Sequence, residues 1–489
     1  MALNSFMALA RKFDCDPDFA AEYRKFMQAY EDLGQMRLIP EDKISTLRAW
    51  YLPHHAVMRQ SGPVSKLRVF YDASRRTADQ QYLNNFLLSG PALQNDLSLI
   101  LLGCRKHRFV FTADIIKMIR QIEVYPLDQD LQRILWSAEP GQAPRDYCLT
   151  TVTYGTSSAP YLTIRTLPQL AEDEEHRFPL GAFYLRHQIY VDDIFSELLL
   201  SNSIGVPVVT KSKLIEDDQA VKTLGLLWNP SSDSFGFNIC SMFSPTREST
   251  KRNVLSCLAR LFDPLADEDL DWDTPLSLDI LNRWNNYCNE LPKVTDIFVS
   301  RWLGLISSAQ SELHGFADAS MRAYAVAIYL RVTNDEGEFL TSLLIAKSKV
   351  VPVKTVTIPN LELYGAVLLT KFLKHVRQMD QYKDLPVVAW SGSRDALVWL
   401  RKHPSHWKVF VANRVSFIQT ELPTAVWLYI PSRDNPADVA TRGLDPVTLK
   451  NSKIWWHGPD WLSDPPERWP DQLTTVKPSE TVVHAFNAT

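Results

Sequence analysis

The sequence predicts a multidomain protein that is α+β in its first half and α/β in its second. Three observations predict this. A chain of 489 residues exceeds one ordinary hydrophobic core, so about two to four domains are expected. From residue 66 to about residue 227, strand-like segments alternate with helical ones. Between residues 311 and 445, the apolar periodicity indicates a βββαβαβ order.

The first half begins with helix-spaced apolar residues over positions 5–35, and Gly34 is typical of a helix end. Further along, apolar alternation predicts strands and amphipathic spacing predicts helices. The predicted strands are LRVFYDAS, FVFTADI and AFYLRHQIYVDDIF, and the predicted helices are LQNDLSLILLGCRK and SSAPYLTIRTLPQLAED. These segments alternate as expected for one α+β domain.

The second half contains a similarly clear pattern. HGFADAS, AYAVAIYLR and FLTSLLIAKS are consecutive predicted strands, and NLELYGAVLLTKFLKHV is a helix with one apolar face. LPVVAW, DALVWLRK and AVWLYI then predict strand, helix and strand. A Trp-, Pro- and Asp-rich tail follows.

Composition narrows the classes of partner and compartment. The net charge of −4 and the pI of about 6.3 do not indicate a basic nucleic-acid-binding chain, so such binding requires local patches. The six cysteines form no C-x-x-C pair, which argues against a zinc module or a disulfide framework. With no signal peptide and no membrane-length apolar run, we expect a cytoplasmic, possibly nuclear, protein that is neither secreted nor membrane-spanning.

The strongest motif is Tyr190-Val191-Asp192-Asp193, which lies among apolar residues and predicts a hairpin turn with two acids. Adjacent buried carboxylates repel, and a divalent cation such as Mg²⁺ would neutralise them. A two-metal site needs a further carboxylate, and Asp114 closes another apolar strand. The alternative interpretation of each acid is a solvated turn.

Six segments, in their residues and in their order along the chain, resemble the reverse transcriptases of BEL/Pao-type long-terminal-repeat retrotransposons. The segments are YLPHHAV (51–57), KLRVFYDAS (66–74), FTADIIKM (111–118), YGTSSAPYLTIRTLPQLA (154–171), YVDD (190–193) and LGLLW (224–228). The resemblance implies that Asp114, Asp192 and Asp193 are catalytic and bind two Mg²⁺ or Mn²⁺ ions.

The same resemblance implies a nucleotide and nucleic-acid site. Lys66 and Arg68 would contact the incoming triphosphate, with solvated edge-strand charges as the alternative, while Gly155 and Tyr190 would line the nucleotide and template floor. Ile119 stands where such polymerases usually have an aromatic residue that screens the sugar 2′ position. The implied partners are an RNA or DNA template-primer and dNTPs, and the oligomeric state stays open.

A second acid set points to a ribonuclease-H-like site that also holds two metal ions. Asp318 follows a strand start, Glu362 opens a helix and Asp438 lies in DNPADVATRG, with turn, helix-end and cap acids as the alternative interpretations. The fourth acid is missing, because Gly392 stands where the family commonly has Asp. Asp395 is expected to act in the first turn of the next helix instead.

The predicted organisation has five parts. These are a helical lead-in (1–40), reverse-transcriptase fingers and palm with a deletion near 195–203 (41–230), a connection or thumb-like region with a deletion near 265 (231–310), an RNase H-like domain (311–445) and a loop-rich tail (446–489). Two functions fit this organisation. One is an RNA-directed DNA polymerase with a degenerate RNase H domain, and the other is a catalytically inactive remnant or domesticated nucleic-acid- or protein-binding protein.

Overall fold

A computed structural model describes most of the chain in two compact units. The described residues are 2–44, 49–61, 64–77, 79–139, 141–197, 221–223, 226–237, 277–305, 310–334 and 336–470. Unit 1 comprises Met1–Ile100 and Phe111–Ser196, and unit 2 comprises Leu101–Val110 and Glu197–Thr489. None of the helices in the described ranges is both long and apolar enough to cross a membrane.

Unit 1 combines helices with three small sheets. The described strands pair in the orders β1-β6-β5, β2-β3 and β4-β8-β7. The elements are α1 (Ala2–Cys15), α2 (Pro17–Asp32), β1 (Met36–Leu38), β2 (His54–Ser61), β3 (Val64–Tyr71), α3 (Leu97–Lys106, continuing into unit 2), β4 (Val110–Asp114), β5 (Arg133–Trp136), β6 (Arg145–Leu149), α4 (Ala159–Glu174), α5 (Pro179–His187), β7 (Ile189–Tyr190) and β8 (Asp193–Glu197).

The lead-in is a pair of helices that packs into a hydrophobic core with residues of β1, β3, β5 and β6. Asp16 caps α2 by accepting a 3.0 Å hydrogen bond from the Phe19 amide, and Pro17 supplies a preset helical φ at the first position. Tyr23 and Met27, both fully buried, project from α2 into a core that includes Trp136 of β5. The apolar spacing of the sequence thus becomes a packed face.

The prediction of β structure throughout 182–195 is wrong in its first part, because residues 179–187 form α5. Pro179 sits at the helix start, and Ala182 is buried. In a short apolar run, strand and helix periodicity are hard to distinguish, and the proline at the first helical position favours the helix. The hairpin begins only at Ile189.

Unit 2 contains a small sheet of strand order β12-β11-β10-β9 beside the helix α6. The elements are β9 (Val221–Thr223), β10 (Leu226–Asn229), β11 (Ser234–Phe237), α6 (Leu278–Glu290) and β12 (Phe298–Ser300). The Arg301 guanidinium donates to both Asp233 carboxylate oxygens, at 2.6 and 2.8 Å, and to the carbonyls of residues 104, 107 and 108. These bonds tie the sheet to the segment 101–110. The two expected deletions, near 195–203 and near 265, lie largely outside the described residues.

The larger part of unit 2 is a five-stranded mixed sheet in the order β15-β14-β13-β16-β17. The strand β13 pairs antiparallel with β14 and parallel with β16. The elements are β13 (Gln310–Ala319), β14 (Ala323–Thr333), β15 (Phe339–Val350), α7 (Ile358–Val376), α8 (Asp380–Lys383), β16 (Val387–Ser391), α9 (Arg394–Arg401), α10 (Val409–Glu421), β17 (Val426–Tyr429) and α11 (Pro436–Arg442). The predicted βββαβαβ order is present, with α8, α10 and α11 in addition.

The predicted loop-rich tail contains α12 (Pro446–Asn451) and α13 (Lys453–His457), followed by 3-10 turns. Leu462 is fully buried in a cluster with Phe316 and Trp390 of the sheet. Residues 446–470 therefore cover one sheet face, while α7 packs on the other.

Candidate functional site

Three carboxylates of unit 1 meet at the ends of two strands. Asp114, Asp192 and Asp193 each place one oxygen within 4.8 Å of the others. Among the residues that the structure describes, this is the only group of three or more Asp, Glu, His or Cys side chains that is close enough to share a metal ion. The sequence-predicted polymerase acids are thus brought together.

The backbone explains why these acids converge. Asp114 ends β4, and the next amide, Ile115, donates a 2.9 Å hydrogen bond to the Asp192 carbonyl. In the hairpin, Tyr190 pairs with Asp193, so the turn consists of Val191 and Asp192. Val191 has a φ of +56°, a left-handed conformation that is unusual for a β-branched residue and marks a strained turn.

Two amide side chains that the sequence analysis did not single out support this turn. The Val191 amide donates to the Gln94 side-chain carbonyl at 3.3 Å. The Asn95 side-chain amide donates to the carbonyls of Arg186 and Ile189, at 3.1 and 3.3 Å. No local sequence pattern predicts these hydrogen bonds, because they join residues more than ninety positions apart.

An apolar cluster lies beneath the acids. Met118, Leu167 and Ile189 are buried together and come from the turn after β4, from α4 and from the hairpin. Packed interiors resist displacement. The cluster therefore fixes the two strand ends that carry the carboxylates.

The acids also influence one another electrostatically. Partial burial, followed by the nearby Asp192 carboxylate, raises the pKa of Asp114 above its usual value. A hard divalent cation would relieve this repulsion, and carboxylate oxygens are the ligands that Mg²⁺ and Mn²⁺ prefer. The donor set therefore fits such an ion.

The segment of Tyr154 and Gly155, which follows β6 and is referred to as the floor, approaches the acids at Tyr154. Burial and the Asp192 carboxylate raise the pKa of the Tyr154 phenol, whereas the positive charge of Arg68 opposes this. Gly155 has a φ of +104°, and a Cβ added there would lie 2.0 Å from the Tyr71 carbonyl oxygen. Only glycine allows this close approach of two backbone segments.

The other residues predicted to bind the nucleotide or template lie on β3, in the turn after Asp114 and in the hairpin. Arg68 is exposed on β3 opposite Val57, and Ile119 is half-buried in the turn after Asp114. Tyr190 is half-buried in the hairpin. The backbone of Lys66 belongs to β3, and the structure does not describe its side chain.

The second acid set lies in unit 2 near the C-terminal end of β13, the central strand of the five-stranded sheet. Asp318 of β13 and Glu362 of α7 are 4% and 8% exposed. Burial raises the pKa of Asp318 to about 6. Burial, and then the charge of Asp318, raises the pKa of Glu362 to about 8, and one Glu362 carboxylate oxygen is buried without a hydrogen-bond partner.

The α11 helix supplies the other predicted acid and a residue that the sequence analysis missed. Asp438 pairs with Arg442 at 2.9 Å on the partly exposed side. The Thr441 hydroxyl donates to Asp318 at 3.0 Å. Thr441 lies three residues after Asp438 and shares a helix face with it, but this spacing does not indicate the contact with Asp318, which is 123 residues away along the chain.

Gly392 lies beside Asp318. A Cβ at position 392 would be 3.6 Å from Asp318 Oδ1 and 3.8 Å from the Ile430 carbonyl oxygen. A side chain at this position would therefore point next to the carboxylate. Asp395 lies in the first turn of α9, as predicted, while the capping oxygen belongs to Ser393, which accepts from the Ala396 amide at 3.2 Å.

Comparison with known families identifies part of unit 2. Residues 265–393 match the family model described as "Pao retrotransposon-like RNaseH-like domain". The matched range includes Asp318, Glu362 and Gly392 and ends before Asp438. The match confirms the sequence-based resemblance to Pao-type retrotransposons. No curated protein matches the chain.

Two solved structures are similar to this chain. The foamy viral protease-reverse transcriptase dRH in complex with double-stranded DNA is 14% identical with a TM-score of 0.50, over 82% of this chain and 68% of that one. The foamy viral protease-reverse transcriptase in complex with an RNA/DNA hybrid is 15% identical with a TM-score of 0.48, over 93% of this chain and 56% of that one. Together with the family match, the first likeness confirms the predicted fold of a reverse transcriptase with an RNase H-like domain.

Proposed function

We propose that the chain is an RNA-directed DNA polymerase of retrotransposon origin that extends a primer on an RNA or DNA template with dNTPs. The observation that supports this most directly is the convergence of Asp114, Asp192 and Asp193 within 4.8 Å on two strand ends. Such a constellation suits phosphoryl transfer, in which positioning and charge provide most of the catalysis.

The three acids would hold two Mg²⁺ or Mn²⁺ ions. When bound, the ions supply positive charge at the transferred phosphate and at the leaving pyrophosphate. The contribution of the chain itself is to keep the carboxylates converged, through the bond between Ile115 and Asp192 and through the apolar cluster beneath.

The other residues would bind and orient substrates. Lys66 and Arg68 would balance the charge of the triphosphate. Gly155 and Tyr190 would form the floor for the nucleotide and template. Ile119, in the turn that follows Asp114, would face the sugar, where a branched aliphatic side chain offers bulk without an aromatic ring.

For the RNase H-like unit, we propose nucleic-acid binding with little or no hydrolysis. Gly392 supports this proposal, because the position beside Asp318 carries no carboxylate. A site with one acid fewer holds two cations less tightly. This unit therefore also supports the second candidate function, a non-catalytic binding protein.

Primer extension with Mg²⁺ or Mn²⁺ tests the polymerase proposal. Asp192→Asn should abolish extension, since it removes a metal-binding charge without changing side-chain size. Glu172→Gln, at an exposed carboxylate on α4, is the matched control and should extend as the wild type does. Equal signals from the wild type and Asp192→Asn would contradict the polymerase proposal and favour the non-catalytic alternative.

A further inference from the structure

A buried arginine lies behind the turn that follows Asp114. Arg120 belongs to the 3-10 turn Met118–Gln121 and is only 7% exposed. Arginine is rarely buried to this degree unless its charge is paired. Here its guanidinium carbon lies 3.6 Å from the ring centroid of Tyr30, so an aromatic face of α2 stabilises the cation.

Gln35 fixes Arg120 from the end of the helical lead-in. Arg120 Nε donates to Gln35 Oε1 at 2.6 Å, and Gln35 Nε2 donates to the Arg120 carbonyl at 3.0 Å. Gln35 is itself buried, and its backbone amide donates to the Tyr30 carbonyl at 2.8 Å. Two reciprocal bonds restrain both the side chain and the backbone of residue 120.

The same corner of the lead-in fixes the segment that leads to the floor. The Thr150 amide donates to the Gln35 carbonyl at 3.0 Å, and the Thr150 hydroxyl donates to the Gly34 carbonyl at 2.7 Å. The Val152 amide then donates to the Ile122 carbonyl at 2.8 Å. Gln35 thus links the turn that carries Ile119 to the strand that runs into the floor.

One feature of Arg120 exceeds what a structural anchor needs. Its Nη2 atom is buried and has no hydrogen-bond partner. Leaving such a donor unpaired is unfavourable, so its retention calls for an explanation. Burial raises the pKa of Tyr154, and the positive charge of Arg120 opposes this rise, so the field of Arg120 reaches the floor beside the acids.

We propose that Gln35 and Arg120 are positioning residues for nucleotide selection, because together they set the turn carrying Ile119 relative to the floor at Tyr154 and Gly155. This inference rests on the proposed polymerase function. It assigns to the helical lead-in a part in substrate choice, although the lead-in contributes no residue to the acid cluster.

The decisive variants act at residue 35. Gln35→Leu removes both bonds to Arg120, whereas Gln35→Glu keeps the acceptor and adds an opposite charge. In primer extension, Gln35→Leu should raise the KM for dNTP by about tenfold, which corresponds to about 1.4 kcal/mol, and should change the preference for dNTP over rNTP. The kcat should change much less, because the acids do not move. Gln35→Glu keeps the bond from Arg120 Nε but cannot donate to the Arg120 carbonyl, so it should raise the KM less than Gln35→Leu does.

Arg133→Lys is the control for a general loss of stability. Arg133 is also buried in unit 1, but it donates to Asp130 and to the carbonyls of residues 43 and 44. This variant should lower Tm without changing KM or the sugar preference. An unchanged KM and sugar preference in Gln35→Leu, or the same kinetic change in Arg133→Lys, would overturn the inference.

Hydrogen exchange provides a second readout that does not need catalysis. The backbone amides of residues 115–124 should exchange faster in Gln35→Leu than in the wild type or in Arg133→Lys. Unchanged exchange would contradict the positioning role of Gln35 and Arg120. If the wild type extends primers no better than Asp192→Asn, the polymerase proposal fails and the inference about substrate choice fails with it. If the wild type extends and only the Gln35 kinetics are unaltered, the inference alone fails.

Discussion

The carboxyl group of Glu362 illustrates how burial controls the charge of the RNase H-like site. Its pKa of about 8 and the Asp318 pKa of about 6 both exceed the usual values of 4.5 and 3.8. Each carboxyl group therefore binds its proton more tightly in the folded chain than in the unfolded chain. Their contribution to stability is present at low pH and is lost as the pH rises through the folded pKa values.

We expect the metal-free protein to lose stability in unit 2 between about pH 4 and about pH 8, from the unfolded to the folded pKa values. Glu362→Gln, which mimics the protonated form, should flatten the upper part of this decline and should be more stable than the wild type above about pH 8. Thermal unfolding in a chelator across this range measures the effect. Glu336→Gln, at an exposed carboxylate, should follow the wild type, and an unchanged slope in Glu362→Gln would contradict the assignment.

Restoring an acid at position 392 should make unit 2 more responsive to metal ions. In Gly392→Asp, the new carboxylate would lie beside Asp318, since the Cβ is 3.6 Å from Asp318 Oδ1. Without metal, this variant should be less stable than Gly392→Asn because like charges repel. Mn²⁺ should reverse the order, and cleavage of an RNA·DNA hybrid should rise above the negligible level expected of the wild type. Equal Mn²⁺ responses of the two variants would exclude a metal-binding role.

Single residues also show what sequence can reveal of a site. Asp114, Asp192 and Asp318 were predictable because each closes an apolar run, where an acid is unusual. Thr441 and Gln35 were not, because their roles arise from contacts 123 and 85 residues away along the chain. Hydroxyl and amide side chains are common on protein surfaces, so their presence in a sequence carries little information.

At the scale of elements, the loop that contains Gly155 packs closely against the end of β3 at Tyr71. Gly155→Ala would place a Cβ 2.0 Å from the Tyr71 carbonyl oxygen at a φ of +104°. We expect a loss of stability well above the roughly 1–2 kcal/mol that a left-handed conformation alone costs, together with loss of primer extension. Gly141→Ala is the control, since φ is +75° there and nothing lies within 4 Å of the added Cβ.

Denaturant unfolding compares the two glycine variants. If Gly155→Ala were no less stable than Gly141→Ala, the close approach to Tyr71 would be disproved.

Long, strongly periodic elements were predicted correctly, whereas two helices with weaker patterns were not. The helices α4 and α7 and the strands β13 to β15 carry apolar patterns of ten or more residues, which only one periodicity fits. The α5 helix spans nine residues and was read as strand, because an apolar run of that length fits both patterns. The α10 helix was missed, since Val415 and Ile418 are its only fully buried side chains.

At the scale of the whole molecule, the structural unit extends beyond the range that the family model matches. The match ends at residue 393, yet β17, α11 and the segment 446–470 complete the sheet and cover one of its faces. This cover is anchored by polar contacts. Tyr329 donates to the Trp455 carbonyl at 2.7 Å, and Thr341 donates to the His457 carbonyl at 2.6 Å.

Arg331 is the anchor whose loss should affect this layer most. It is 3% exposed and donates to the carbonyls of Leu462 and Asp464, both at 2.9 Å, and to Glu312 at 3.0 Å. Arg331→Leu removes a partner of the Glu312 carboxylate and removes the donor to one buried and one partly buried carbonyl. We therefore expect about 3–5 kcal/mol of destabilisation and faster proteolysis between residues 446 and 470. Lys374→Leu breaks an exposed ion pair with Glu421 and should cost at most about 1 kcal/mol. Similar unfolding and proteolysis of the two variants would show that residues 446–470 are not part of the folded unit.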